Sequence, residues 1–454
     1  MFKRIATALW GKFENKEELQ KFGFLALIFG LIIGIYWTLR PMKDSIFNAL
    51  VGMDYLPWAK MLSLVFIVPL VIVYSKLIDK YPRHKVFYIL IGVYGVAALS
   101  FYFVLSNPVL GIANTVQSPS RVIGWAWYVF VESFGSLIVA LFWAITTDIT
   151  APDSAKRGFP LIALFGQLGN ILGPFFLTAR RLGFENSAPV VGICAGLMLF
   201  LGLLFWFFMF VTPDNQLKGY ETKEKEEIKK EKDPGFFEGL KLLFTRGYLF
   251  SILMITFIYE VIVTVLDYHF KSTVAATFTA EADVSLYLSQ YSYMTGIVST
   301  LCVLFGINSI QRYLGIKVSL LLLPVLVTSA VIIVKFNPTL LAVAFWIMVF
   351  SKAVNYALNR PTLKQLYIPT TKNTKYKAQA WDEMFGSRGS KGVGSIINTF
   401  RAGFKAKYGM LDGIARFLTF SSLISLSLVG VWIFVALYAA KEYDQAIKEK
   451  RVVC

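Results

Sequence analysis

The sequence predicts an all-α polytopic membrane protein, with about twelve spanning helices in two related sets of six. Three observations lead there. Of 454 residues, 56% are hydrophobic and only 16% charged, whereas soluble domains sit nearer a quarter charged. Apolar stretches long enough to cross a bilayer recur from end to end, each needing about 20 residues. Lys and Arg, in turn, collect in alternate connections between those stretches. So much apolar surface cannot be buried in one soluble core, and lipid must solvate part of it.

The spans read near 22–47, 57–79, 86–106, 122–147, 159–179 and 188–212, then near 247–270, 286–307, 316–335, 339–358, 385–403 and 414–439. This divides the chain into a six-helix bundle over 1–212, a charged linker over 213–246 and a second bundle over 247–454. The linker core, 221–233, mixes both signs densely, as a solvated segment with some i,i+4 pairing does. Ahead of the first span, Phe2, Ile5, Leu9 and Phe13 share a helical face with Lys3, Arg4 and Lys12 among them. That pattern fits a short interfacial helix.

Lys and Arg outnumber Asp and Glu by 45 to 28, a formal charge of +17. In a soluble chain this would suggest nucleic acid. Here the basic residues fall near 76–85, 152–157, 213–246, 311–317 and 364–377, while 51–56 and 107–120 hold almost none. The bias therefore reads as topology: both termini and the linker on the cytoplasmic side of a bacterial inner membrane. The partners expected are the bilayer and an anionic substrate, with no nucleic acid, and the chain is expected to act as a monomer. Cys194, Cys302 and Cys454 match no metal or disulfide spacing, and His84 and His269 are the only histidines. No phosphate loop or dinucleotide glycine motif appears. An enzyme is not expected, nor a metal or cofactor.

The two halves resemble each other. Lys80-Tyr81 and Lys85, after the second span, align at one offset with Arg312-Tyr313 and Lys317, after the eighth. Gly166, Gly169 and Gly173 of the fifth span are echoed by Gly386, Gly389 and Gly394 of the eleventh. Such repeats mark transporters whose site lies between the halves at mid-membrane. The short basic turn resembles the one after the second helix of major facilitator transporters, which implies a major-facilitator-like fold. Gly169-x-x-x-Gly173 itself reads as helix packing.

Ionisable residues inside spans are costly and mark candidate sites. Arg40, Lys43 and Asp44 lie on neighbouring turns at the end of the first span, around a Pro41 that can kink it. The alternative there is an interfacial anchor with snorkelling side chains. Glu132 lies near mid-span, too short to snorkel. Asp148 is either functional or a helix-end residue, and Lys156 and Arg157 follow it. In the seventh span Glu260 and Asp267 are two turns apart on one face. Lys271, one turn on, could be a simple i,i+4 partner of Asp267. Lys352 and Asn355 lie in the tenth span, Arg388 and Lys391 in the eleventh. Arg and Lys facing a cavity are what phosphate capture requires.

These segments resemble the ATP/ADP translocase family of plastids and obligate intracellular bacteria. Tyr36-Trp-Thr-Leu-Arg-Pro-Met-Lys-Asp44 is similar to the family's Y-T-I-L-R-D-T-K-D, and Glu132-Ser-Phe-Gly-Ser136 to its E-L-W-G-S. Asp148-Ile-Thr150 with Ser154-Ala-Lys-Arg157 resembles E-I-T and E-A-K-R, and Gly166-Gln-Leu-Gly-Asn170 resembles G-x-G-A-N. Asp267-Tyr-His-Phe-Lys-Ser272 falls on E-V-T-W-K-S, and Ser351-Lys-Ala-Val-Asn-Tyr-Ala-Leu358 on S-K-S-T-K-Y-A-L. Tyr367-Ile-Pro369 and Arg388-Gly-Ser-Lys391 match Y-I-P and R-F-G-K. The resemblance runs through both halves and implies nucleotide exchange. It places Lys43, Glu132, Asp267 and Lys391 on charged positions tied to transport, and Asn170 on a polar one. Pro41, Arg360, Leu363-Lys364 and Gln379 depart from its pattern.

Taken together, the expected substrate site comprises Arg40, Lys43, Glu132, Asn170, Asp267, Lys271, Lys352, Arg388 and Lys391. Asp44, Asp148, Lys156, Arg157 and Glu260 are expected as gating or structural charges. Arg40, Lys43 and Lys391 are expected to hold phosphates, with Glu132 and Asp267 near enough to pair with them in the unloaded protein. Proton-coupled import, NAD or another organic anion are the alternatives within transport. A membrane scaffold or embedded enzyme is the alternative outside it.

Overall fold

A computed structural model of the protein describes residues 13–217, 238–305, 308–370, 379, 381–382 and 386–453. Residues 2–12 of the expected interfacial helix and the charged linker core at 221–233 lie outside the described residues. The rest is helical, with no strand among the described residues.

Twelve long helices follow in order: α1 (Lys16–Leu50), α2 (Leu56–Lys80), α3 (Arg83–Ser106), α4 (Val122–Asp148), α5 (Pro152–Phe176), α6 (Ala188–Val211), α7 (Gly247–Thr277), α8 (Glu281–Leu304), α9 (Asn308–Phe336), α10, α11 (Ser387–Tyr408) and α12 (Met410–Glu449). α10 runs as an α-helix over Leu341–Val354, loosens into a π-helical turn over Asn355–Asn359, and resumes over Arg360–Leu366. Each expected span falls on one of these helices. Ten are long and apolar enough to cross a membrane. The other two, α8 and α11, carry the more polar sequences of the set.

Local chemistry sets the ends. Asn15 caps α1 by accepting the Glu18 amide at 2.7 Å, satisfying one of the orphan donors at a helix start. α5 begins seven residues before its expected span because Pro152 sits at the first helical turn, where its missing N–H costs nothing. α1 continues through Pro41 to Leu50. Between α11 and α12 stands a single residue, Gly409, at φ 81°, a left-handed conformation that glycine adopts without penalty.

The chain forms two compact units. One holds the described residues of Met1–Gly52, Val65–Glu231 and Phe278–Tyr293; the other holds those of Met53–Leu64, Lys232–Thr277 and Met294–Cys454. The start of α2 belongs with the second half, and the start of α8 with the first. Ion pairs accompany both placements. In the second unit Asp54 meets Lys405 at 2.7 Å and Lys60 meets Asp267 at 3.3 Å. In the first, Arg180 grips Asp283 through two hydrogen bonds of 2.6 and 2.8 Å. That carboxylate raises the guanidinium's pKa above its ordinary value. Glu281 accepts from Ser45 Oγ at 2.5 Å and from the Ser187 amide at 2.9 Å.

In the first unit α1 packs chiefly on α5 and α4, and α3 on α6. The Gly169-x-x-x-Gly173 expectation holds: a Cβ on Gly169 would overlap the Gly30 carbonyl, and one on Gly173 the Gly34 carbonyl. A small-residue pair on α1 therefore meets a small-residue pair on α5, allowing close backbone approach. In the second unit α7 packs on α11 and α12. A Cβ on Gly394 would stand 2.8 Å from the Val261 carbonyl, so Gly394 brings α11 against α7. Gly389 faces open space instead, and the glycine-rich start of α11 packs less than its composition suggests.

Candidate functional site

In the first unit the charged residues of α1 meet α4. Lys43 is buried on α1, and its Nζ donates to Glu132 Oε1 on α4. Asp44 Oδ1 lies 3.9 Å from the same ammonium. The Tyr128 ring, one turn before Glu132, lies 4.3 Å from Lys43 Nζ and adds a cation–π contact. Arg40 stacks over Trp37 at 4.6 Å. On α5, Asn170 Oδ1 is buried with no hydrogen-bond partner among the described residues, as a group awaiting a ligand or water would be.

The remaining first-unit candidates have structural partners. Asp148 binds Arg83 at 2.5 Å, beside a cavity of about 440 Å³ that His84 also lines. Arg157 ties the start of α5 to Glu14 and Glu18, each at 2.7 Å. Lys156 pairs with Asp153 at 2.9 Å on an exposed turn, where such a pair contributes little.

In the second unit, three lysines surround one buried carboxylate. Asp267 takes Lys271 at 2.7 Å, Lys352 at 3.0 Å and Lys60 at 3.3 Å. The i,i+4 expectation for Lys271 holds, and it is one of three partners. Two turns earlier on α7, Glu260 stands between Lys391 of α11 and Arg360 of α10, each at 3.9 Å. Ser387 Oγ donates to it at 3.4 Å. Lys391, expected near Asp267, thus pairs with Glu260. Arg388 is half-buried one turn before Lys391.

A cavity of about 600 Å³ opens beside Glu260, within the size range of small-molecule sites. Tyr259, Tyr356, Arg360, Lys364 and Asp382 line it, and the Arg360 guanidinium lies 5.0 Å over the Tyr356 ring. Arg360, Leu363, Lys364 and Gln379, four of the positions that depart from the translocase pattern, all stand in its wall. Aromatic faces beside cations suit a base and phosphates respectively.

Lys60 and Asp382 escape notice in the sequence, and Arg360 and Lys364 appear there only as departures from the translocase pattern, outside the expected site. Lys60 sits four residues into α2 and reads as an interfacial anchor. Arg360 follows the π-turn, where the helical face cannot be counted from sequence.

Similarity to other proteins agrees with this chemistry. Solved transporters share the fold at low identity. A bacterial homologue of the ferroportin iron transporter gives a TM-score of 0.65 at 11% identity, covering 94% of this chain and 100% of that one. A bacterial homologue of the lysosomal transporter Spinster gives 0.63 at 13%, covering 95% and 99%. A D-xylose–proton symporter gives 0.61 at 13%, covering 90% and 96%. The fold is therefore all-α, polytopic and major-facilitator-like. ADP,ATP carrier protein 1 of Rickettsia typhi is 25% identical over 96% of this chain and 95% of its own. That of Rickettsia bellii is 27% identical over 95% and 94%, and that of Chlamydia trachomatis 25% over 98% and 94%. A family profile described as TLC ATP/ADP transporter matches residues 1–443. With spanning helices, intramembrane cations and a match along nearly its whole length, the chain belongs to the TLC ATP/ADP transporter family, a family of membrane transporters.

Proposed function

We propose that the protein exchanges nucleotides across a bacterial cytoplasmic membrane by alternating access, ATP against ADP, as a monomer with both termini cytoplasmic. The observation that carries this reading is the set of intramembrane cations paired with carboxylates: Lys43 with Glu132 and Asp44, and Lys391 and Arg360 with Glu260. A polyphosphate brings several negative charges and displaces a carboxylate from such a pair. Within the first unit Arg40, Lys43 and Asn170 are the substrate-binding candidates; within the second they are Arg388 and Lys391, with Lys271 and Lys352 once released from Asp267. Unloaded, the carboxylates keep the cations neutralised, so unpaired charge does not have to cross the barrier. Occupied, the phosphates take that role, which couples binding to movement.

Proteoliposomes loaded with unlabelled ADP test this. External labelled ATP is expected to enter saturably, and faster than into empty vesicles. Uptake indifferent to internal nucleotide would overturn exchange, and uptake that dissipates an imposed proton gradient would replace it with proton coupling. A second reading has its own support. The four departures around the 600 Å³ cavity favour a nucleotide or organic anion other than ATP and ADP, such as NAD. Competition by a panel of nucleotides decides between them. A reporter fused after residue 223 is expected to be cytoplasmic, and external labelling there would refute the topology.

A further inference from the structure

We infer that Arg401, Tyr268 and Ser272 form an additional subsite for a phosphoryl group, on the seam between α11 and α7. The identity of its ligand as part of the transported nucleotide rests on the function proposed above.

The seam is regular. Gly394, Asn398 and Arg401 recur along one face of α11 at intervals of four and three, and Val261, Thr264, Tyr268 and Ser272 along one face of α7. Such spacings keep residues on one side of a helix. Gly394 touches Val261 and Thr264, and Asn398 Nδ2 donates to the Thr264 carbonyl at 3.2 Å. Arg401 comes next along this closely packed line, its guanidinium 5.4 Å from the Tyr268 ring.

Arg401 is only 5% exposed. Its Nε and Nη1, like Tyr268 Oη and Ser272 Oγ, make no close hydrogen bond among the described residues, and the Tyr268 hydroxyl lies near enough to interact with both Arg401 and Ser272. No carboxylate among the described residues pairs with it. Asp54, which acts electrostatically on Tyr268, is itself bound to Lys405 at 2.7 Å. The other polar groups here are the His269 ring and Asn398 Oδ1. A buried guanidinium without a counter-charge is costly. Water would satisfy the donors and leave the charge. An oxyanion satisfies both, because two guanidinium nitrogens and two hydroxyls all donate to it. A phosphoryl group fits this donor set better than a halide does, since it offers several acceptor oxygens to donors approaching from both helices. These residues are almost closed to solvent, so the group reaches them only when α7 and α11 part.

The test is calorimetric titration of the purified full-length protein with sodium tripolyphosphate, which carries the phosphates and no base. Arg401→Gln is expected to weaken binding about tenfold or more, the effect of losing a charge-assisted hydrogen bond. Arg401→Lys should retain most of the affinity. Should Arg401→Gln fail to fold, Tyr268→Phe and Ser272→Ala decide, each removing one hydroxyl. Unchanged affinity in Arg401→Gln, or in both hydroxyl variants, overturns the subsite, and so does a wild-type protein that binds no tripolyphosphate. If tripolyphosphate binding depends on Arg401 while ATP and ADP do not exchange, the subsite stands and the proposed transport falls.

Discussion

Removing Asp267 should damage the protein far more than removing any one of its lysines. Three ammonium groups lie within 2.7–3.3 Å of its oxygens, which leaves them about 5 Å from one another. At an effective dielectric of about 20, each lysine gains about 5 kcal/mol from the carboxylate and loses about 3 kcal/mol to each neighbouring lysine. Deleting one lysine then forfeits about 5 and relieves about 6 kcal/mol, a near balance. Asp267→Asn leaves all three repulsions and no attraction. After relaxation we expect a loss of about 3–5 kcal/mol, the usual consequence of breaking a buried pair. Thermal unfolding of the purified protein in detergent provides the measurement. Asp267→Asn should unfold well below wild type, Lys352→Met and Lys60→Met close to it, and Asp267→Asn with Lys352→Met in between. If Lys352→Met proved as harmful as Asp267→Asn, one tight pair with two bystanders would replace the three-lysine cluster.

Other outcomes follow from the same geometry. Lys43→Ala should weaken nucleotide binding about tenfold or more, whereas Glu132→Ala should impair transport more than affinity; equilibrium binding set beside vesicle uptake separates the two. Gly169→Leu would drive a side chain into the Gly30 carbonyl and is expected to abolish folded protein, read as loss of a monodisperse peak on size exclusion. Arg83→Ala should change stability by less than about 1 kcal/mol by thermal melting, because both partners of its pair with Asp148 are more than a third exposed.

Hydropathy and loop charge were enough to locate all twelve helices, because a spanning helix must show its lipid-facing residues in the sequence. α8 and α11, more polar than the rest, are the least distinct of them. Lys43 with Glu132 was legible because a buried acid and a buried base in neighbouring spans have few other ways to be neutralised. The exchanged starts of α2 and α8 were not legible. They depend on contacts such as Asp54–Lys405 and Arg180–Asp283, made by residues that in sequence look like ordinary loop charges. Arg401 was passed over for the same reason: near the end of a basic helix, a buried arginine and a snorkelling one have the same local sequence.

The π-turn in α10 has a consequence for register. Glu260 and Asp267 are seven residues apart on α7, close to two full turns, so they point the same way. Their partners on α10, Arg360 and Lys352, are eight apart. In an unbroken α-helix eight residues would leave the second side chain rotated by roughly 80° from the first. The wider turn over Asn355–Asn359 takes up one extra residue, as π-bulges do, and returns the offset to roughly that of seven. One inserted residue thus acts as a vernier between two antiparallel scales, aligning two cations on one helix with two carboxylates on the other. Deleting one residue of this turn would leave seven residues in an ordinary α-helix and keep both cations facing their carboxylates, whereas inserting one more would turn Arg360 away from Glu260 while Lys352 kept its place.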